Sequence, residues 1–170
     1  MKQANEAYIK EESMSDLWNV WYTELHQGKS GLTFKVSRLI ESIESEFQRI
    51  DVIETEEFGK ALVLYGSLMV AEHDTGAYNE MIAHVPLFSH PRPGEVLIIG
   101  GGDGGCATNV LRHPEVRRCT MCEIDKMVVD TARTHFPAMS KGLDDTRCRL
   151  LFNDGKKFLE DTDETFDIVL

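Results

Sequence analysis

The sequence predicts an α/β chain, a mostly parallel sheet covered by helices and preceded by a small antiparallel β region. Three observations carry that expectation. Glu95 to Ile99 is a short apolar run that leads straight into Gly100-Gly101-Gly102-Asp103-Gly104-Gly105 and then into a helix-compatible stretch. After it, short apolar runs alternate with helical patterns, the arrangement that builds parallel sheets. Before it, the patterned segments are of β type, separated by turn chemistry.

Taken in order, residues 1–16 are polar and weakly patterned, and Leu17 to Tyr22 is an aromatic and apolar run expected to form a strand. Phe47 to Glu54 alternates imperfectly, Glu57 to Lys60 reads as a turn, Ala61 to Tyr65 is a second strand, and Gly66 breaks it before Ser67 to Ala71. Ala77 to Phe88 takes helical spacing through Tyr78, Met81, Ile82 and Val85, with Pro86 disturbing the last turn. His90 to Gly94 is the clearest punctuation. Strands are then expected at Glu95 to Ile99, Arg118 to Glu123, Arg149 to Phe152 and from Phe166 onward. Helices are expected at Cys106 to His113, at Lys126 to Phe136 with Pro137 stopping it, and from Lys156. The expected division is a polar segment at 1–16, a small β domain at 17–75 and an α/β domain at 76–170. The last residues lie inside an apolar strand, so the α/β domain is expected to continue past Leu170.

Composition narrows the function. Formal net charge is −11, from 18 basic and 29 acidic residues. Binding to a nucleic-acid backbone needs clustered Lys and Arg, so that class is disfavoured, whereas cationic ligands are weakly favoured. No apolar run approaches a membrane span, and the N-terminus lacks an apolar signal region, which makes a cytoplasmic location the default. The cysteines are Cys106, Cys119, Cys122 and Cys148. Cys119 and Cys122 have zinc-like spacing but no second ligand pair, and they fall in an expected strand, so a buried structural role is expected and no metal site. The acids Glu41, Glu44, Glu46, Glu54, Glu56 and Glu57 read as solvated surface. His84 reads as a structural residue of its helix, and His73 and His113 have still less to support a role.

The glycine-rich turn is the site signal. Gly100, Gly102 and Gly105 fit the G-x-G-x-x-G spacing between a strand and a helix, where backbone can approach a ligand closely. Glu123 ends the second strand, where a carboxylate can accept ribose hydroxyls. Asp154, before Gly155, follows the third strand and could accept an adenine amine. Asp103 separates ligand classes. Two like unit charges 4 Å apart repel by about 4 kcal/mol at an effective dielectric near 20, so a pyrophosphate is disfavoured here and a phosphate-free, cationic adenosine ligand is favoured. This argument sets nicotinamide dehydrogenases last and leaves methyl donors open.

At this point the residues resemble a known family. Glu80-Met81-Ile82-Ala83-His84-Val85-Pro86-Leu87, Val96 to Gly105, Cys122-Glu123-Ile124-Asp125 and Asp154-Gly155 together are similar to the spermidine synthase signature. The resemblance implies a small N-terminal β domain and a Rossmann-like, methyltransferase-type domain, assembled as a homodimer or homotetramer. It implies transfer of an aminopropyl group from decarboxylated S-adenosylmethionine, a co-substrate, to a polyamine such as putrescine, with release of methylthioadenosine and no metal. Gly100, Gly102, Asp103, Gly105, Glu123, Asp154 and Gly155 would then hold the donor, with Glu123 on the ribose, Asp154 on the adenine and Asp103 on the donor's ammonium. Tyr78 would line the active site, with Asp74 ahead of it. The base would be an aspartate just beyond Leu170, so these residues alone are expected to bind donor with little or no turnover.

Three positions depart from the family pattern: Met69 stands where glutamine is usual, Thr75 where an acid follows Asp74, and Asn79 where histidine or glutamine is common. They leave the acceptor open among putrescine, a longer polyamine, agmatine or a modified diamine. A methyltransferase and a non-catalytic nucleoside- or polyamine-binding homologue remain the alternatives.

Overall fold

A computed structural model describes residues 20–170. The polar segment 1–16 and residues 17–19 of the first expected strand lie outside them. Two sheets make up the fold. The first is antiparallel, in the order β1 (Val20–His26), β2 (Ser30–Glu44), β3 (Arg49–Thr55), β4 (Gly59–Leu64) and β5 (Ser67–Ala71). Helix α1 (Thr75–Ser89) follows. Then come β6 (Glu95–Ile99), α2 (Gly105–Val110), β7 (Arg118–Glu123), α3 (Lys126–His135), α4 (Pro137–Ser140), a 3-10 turn at Lys141–Asp144, β8 (Cys148–Phe152), α5 (Gly155–Asp161) and β9 (Ile168–Val169). The second sheet is parallel, ordered β8-β7-β6-β9. The fold is α/β and Rossmann-like, with a leading antiparallel sheet, as the sequence predicts.

Alternation sorts the parallel sheet's side chains to two faces. Val96, Ile98, Cys119 and Met121 join Ala83 and Leu87 of α1, Ala107 and Val110 of α2 and Val129 of α3 in one core. Leu97 and Cys122 point the other way, against Phe158 of α5. The cysteines are free thiols, three of them buried, and burial pushes the Cys106 thiol up to about 12. They are packing residues.

The two sheets are joined through α3. Ile50, Val52, Leu62 and Val70 of the antiparallel sheet pack on Val128 and Phe136. Polar ties reinforce this seam: Lys60 Nζ donates to the His135 carbonyl at 2.7 Å, and His135 Nε2 lies 2.9 Å from Glu41 Oε2. Glu41 is therefore a seam residue and not plain solvated surface, which corrects the sequence reading. Glu54 and Glu56 are also engaged, by Arg38 at 3.0 Å and Lys35 at 2.8 Å.

Other expectations are corrected too. The long strand β2 had no sequence reading, and β3 begins at Arg49 because Ser45 to Gln48 form a turn held by Ser45 Oγ. Helix α1 runs through Pro86 to Ser89, where the Ser89 hydroxyl donates to the Val85 carbonyl at 2.7 Å. Helix α2 ends at Val110, and the chain reaches His113 through tight turns. Pro137 does not simply stop α3; it begins α4, in the first-turn position that tolerates a missing N–H.

Candidate nucleoside-binding site

The chain leaves β6 outward through β7 to β8 and then returns to the opposite side of β6 as β9. Sheets of this kind bind ligands outside the carboxyl ends of the strands at such a reversal. That is where the glycine turn lies. Gly100, Gly101 and Gly104 have φ of 81°, 79° and 79°. Of the three motif glycines, only Gly100 needs that left-handed backbone.

Gly102 is required for a different reason. A Cβ there would stand 3.0 Å from Glu123 Oε2 and 2.8 Å from Val128 Cγ1, so the turn can lie on the Glu123 carboxylate only without a side chain. Glu123 Oε2 accepts the Gly102 N–H at 3.0 Å, and Oε1 accepts the Asp125 N–H at 2.9 Å. Glu123 as a residue is 8% exposed. A carboxylate has about four lone-pair sites, so these two bonds fix its orientation and leave capacity for further donors. Gly105 packs directly on the Asn79 amide, and Gly155 lets α5 start against Ile99, whose Cγ2 would be 2.5 Å from an added Cβ.

Asp154 caps α5: its Oδ1 accepts the N–H groups of Lys156 at 2.8 Å and Lys157 at 3.1 Å. Among the described residues its second oxygen has no partner. Asp154 comes two residues after Phe152, which pairs with Glu123, so the two acids sit at neighbouring strand ends. Asp103 Oδ1 accepts the Gly105 N–H at 2.7 Å. Burial raises the Asp103 pKa above the ordinary carboxylate value, and the bond from Gly105 offsets only part of that.

This shift has a sign that can be tested. The folded chain holds the Asp103 proton to higher pH than the unfolded chain does. The stabilisation from this group is present at low pH and is lost as pH rises through the ordinary carboxylate value to the raised one. Asp103→Asn should therefore flatten the pH dependence of the urea midpoint across that window. Parallel pH profiles for the two proteins would contradict the assignment.

Met69, Asp74 and Tyr78 are brought together elsewhere, around a hollow of about 360 Å³ between the antiparallel sheet and the start of α1. No described contact joins them to Glu123 or Asp154. A hollow of about 550 Å³ lies beyond Asn79 among Lys60, Glu72, Arg112 and Met139, and of the expected donor-holding residues only Gly105 borders it. Two of the positions that depart from the resemblance are partners: Asn79 Nδ2 donates to Thr75 Oγ1 at 2.6 Å. Their i, i+4 spacing on one helix face was a signal for that bond.

Comparison with known proteins shows the family. Residues 75–170 match the family model for the spermine/spermidine synthase domain, and residues 20–72 match the spermidine synthase tetramerisation domain. The chain belongs to the spermine/spermidine synthase family. Among family members, the polyamine aminopropyltransferase of Leptospira biflexa is 44% identical over 154 residues, covering 89% of this chain and 54% of the relative. The Bacillus subtilis polyamine aminopropyltransferase is 40% identical over 157 residues, covering 92% and 56%. The crystal structure of spermidine synthase from Thermotoga maritima superposes with a TM-score of 0.85 at 40% identity, covering 88% of this chain and 53% of that one. A spermidine synthase crystallised with the transition-state analogue AdoDATO matches equally well in TM-score. The chain spans about half the length of the curated relatives it matches.

Sequence reasoning missed Asp125 as more than a motif letter. It is 1% exposed and caps α3 through the Met127 N–H at 3.0 Å. Its other oxygen accepts Ser45 Oγ at 2.6 Å and Gln48 Nε2 at 3.2 Å, which ties the β2–β3 turn to the end of β7. His84 is confined to packing contacts. Its ring lies 5.8 Å from Phe88, and among the described residues its buried Nδ1 has no hydrogen-bond partner.

Proposed function

We propose that this chain supplies the donor-binding half of an aminopropyltransferase, which moves the aminopropyl group of decarboxylated S-adenosylmethionine to a polyamine and releases methylthioadenosine. The observation that carries the proposal is the Glu123 carboxylate, locked under the Gly102 turn with acceptor capacity remaining, beside the exposed carboxylate of Asp154. In this reading Gly100, Gly102 and Gly105 admit the donor, Glu123 takes the ribose hydroxyls, and Asp154, at the start of α5 with Gly155, takes the adenine amine. Asp103 takes the donor's ammonium. Its negative charge favours a sulfonium-bearing, phosphate-free nucleoside over a dinucleotide. The acceptor approaches from the side of Met69, Asp74 and Tyr78.

A sulfonium activates its neighbouring carbon, so the protein need only align donor and amine and remove a proton from the attacking nitrogen. Alignment alone can contribute several kcal/mol. The division into a β unit near residues 17–75 and an α/β unit near 76–170 belongs to the same proposal, as does assembly into a homodimer or homotetramer. The match of residues 20–72 to a tetramerisation domain supports the assembly. Among the described residues no helix is long and apolar enough to cross a membrane, a statement that does not bear on β-barrels. We place the protein in the cytoplasm.

The test is to incubate the product of the complete gene with decarboxylated S-adenosylmethionine and a panel of amines. Methylthioadenosine release matched by an amine one aminopropyl unit heavier is expected. Methyl transfer from S-adenosylmethionine, with S-adenosylhomocysteine released, would move the assignment to a methyltransferase.

A further inference from the structure

We propose that the hollow walled by Leu32, Phe34, Phe58 and Met69 and rimmed by Asp74 and Tyr78 is an extension of the acceptor site that selects long-chain alkyl di- and polyamines. The inference rests on the aminopropyl-transfer reading. Its first support is the backbone. Strand β5 pairs Val70 with Leu62 and Leu68 with Val63, so Met69 is the extra residue of a bulge and has no partner across the ladder. Bulges re-aim single side chains beside functional sites. Here Met69 is 53% exposed while Val70 and Ala71 after it are buried.

The second support is chemical. Leu32 and Phe34 alternate onto one face of β2, and Phe34 meets Phe58 edge to face at 5.4 Å between centroids. These groups offer an apolar wall with no polar partner for a buried charge. At the rim, the Asp74 carboxylate makes no capping bond to α1 and has no other partner among the described residues. An ammonium left unpaired on such a wall is strongly disfavoured, whereas one held at Asp74 leaves its methylene chain lying along Leu32, Phe58 and Met69. Each methylene buried this way strengthens binding by about fourfold. The chain's net charge of −11 favours cations in the same direction. A short diamine leaves most of the wall in water, so the site favours acceptors longer than putrescine.

Isothermal titration calorimetry of the full chain tests this with straight-chain diamines from putrescine through cadaverine to decanediamine, and separately with methylthioadenosine. Affinity should climb with length by up to about fourfold per methylene, and Met69→Gln should flatten that slope. Asp74→Asn should weaken every amine by about tenfold, the scale of one lost charge-assisted hydrogen bond. Should Met69→Gln fail to fold, Leu32→Asn at an exposed position on β2 carries the same readout. If methylthioadenosine binds but amine affinity is independent of length, or the slope survives these variants, the inference falls and the aminopropyl-transfer reading stands. If methylthioadenosine does not bind, that reading fails and the inference with it. If Leu32→Asn changes the sedimentation mass and leaves the slope intact, the hollow is a contact between subunits and the inference is wrong.

Discussion

Replacing Glu123 with Gln is expected to remove nucleoside binding and to destabilise the chain at once. The carboxylate presents one oxygen to the Gly102 N–H and the other to the Asp125 N–H, at 3.0 and 2.9 Å. A glutamine can accept only one of them and turns its own N–H groups toward the second donor. Leaving a buried donor unsatisfied costs about 1–3 kcal/mol. On the proposed role, the same change removes one charge-assisted bond to the ribose and weakens the other, a loss of about 2–4 kcal/mol. At about 1.4 kcal/mol per decade, methylthioadenosine affinity should fall roughly thirty- to a thousandfold. Calorimetry at saturating native conditions separates this from unfolding. Wild-type affinity in a folded E123Q protein would remove Glu123 from the site.

The second large effect is expected at Asp125, which holds the two sheets together at one point. Asp125→Ala removes the cap on Met127 and the acceptor for both Ser45 and Gln48. Loss of a cap costs about 0.5–2 kcal/mol, and hydrogen bonds to a charged group contribute about 1.5–3 kcal/mol each. Because Ser45 and Gln48 can partly turn to water, a total near 3 kcal/mol is expected. With a slope of about 1–3 kcal/mol per molar in urea, the midpoint should drop by at least about 1 M. Asp125→Asn keeps one acceptor oxygen and should lose less. An unchanged midpoint for Asp125→Ala would mean that the seam is carried by the apolar contacts of Val128 and Phe136 and the polar ties at His135, without Asp125.

Much of the fold was legible because its signals are local. Strands β5, β6 and β7 have the limits expected from their apolar runs and flanking turns. Strand β2 was invisible for a physical reason. Its pairing with β3 slips twice, between Val36 and Arg38 and between Leu39 and Glu41, so the alternation of apolar and polar residues changes phase along it. The glycine turn, Glu123 and Asp154 lie where the sequence puts them, at strand ends and a helix start, because glycines and strand ends are marked locally. What could not be read was the wiring. Ser45 lies 80 residues from Asp125 and Glu41 lies 94 residues from His135, so nothing in either neighbourhood announces the contact. The bulge at Met69 was hidden in the same way, since it exists only relative to the partner strand β4.

The central claim is that the turn from Gly100 to Gly105, with Glu123 and Asp154, holds a phosphate-free adenosine donor bearing positive charge. The measurement that tests it most directly is calorimetric titration of this chain with decarboxylated S-adenosylmethionine, set against the same titration with NAD. One-to-one binding of the sulfonium donor, lost in E123Q, with no measurable binding of NAD, is the predicted result. Binding of NAD as tight as that of the donor, or no binding of the donor by the folded chain, would contradict it.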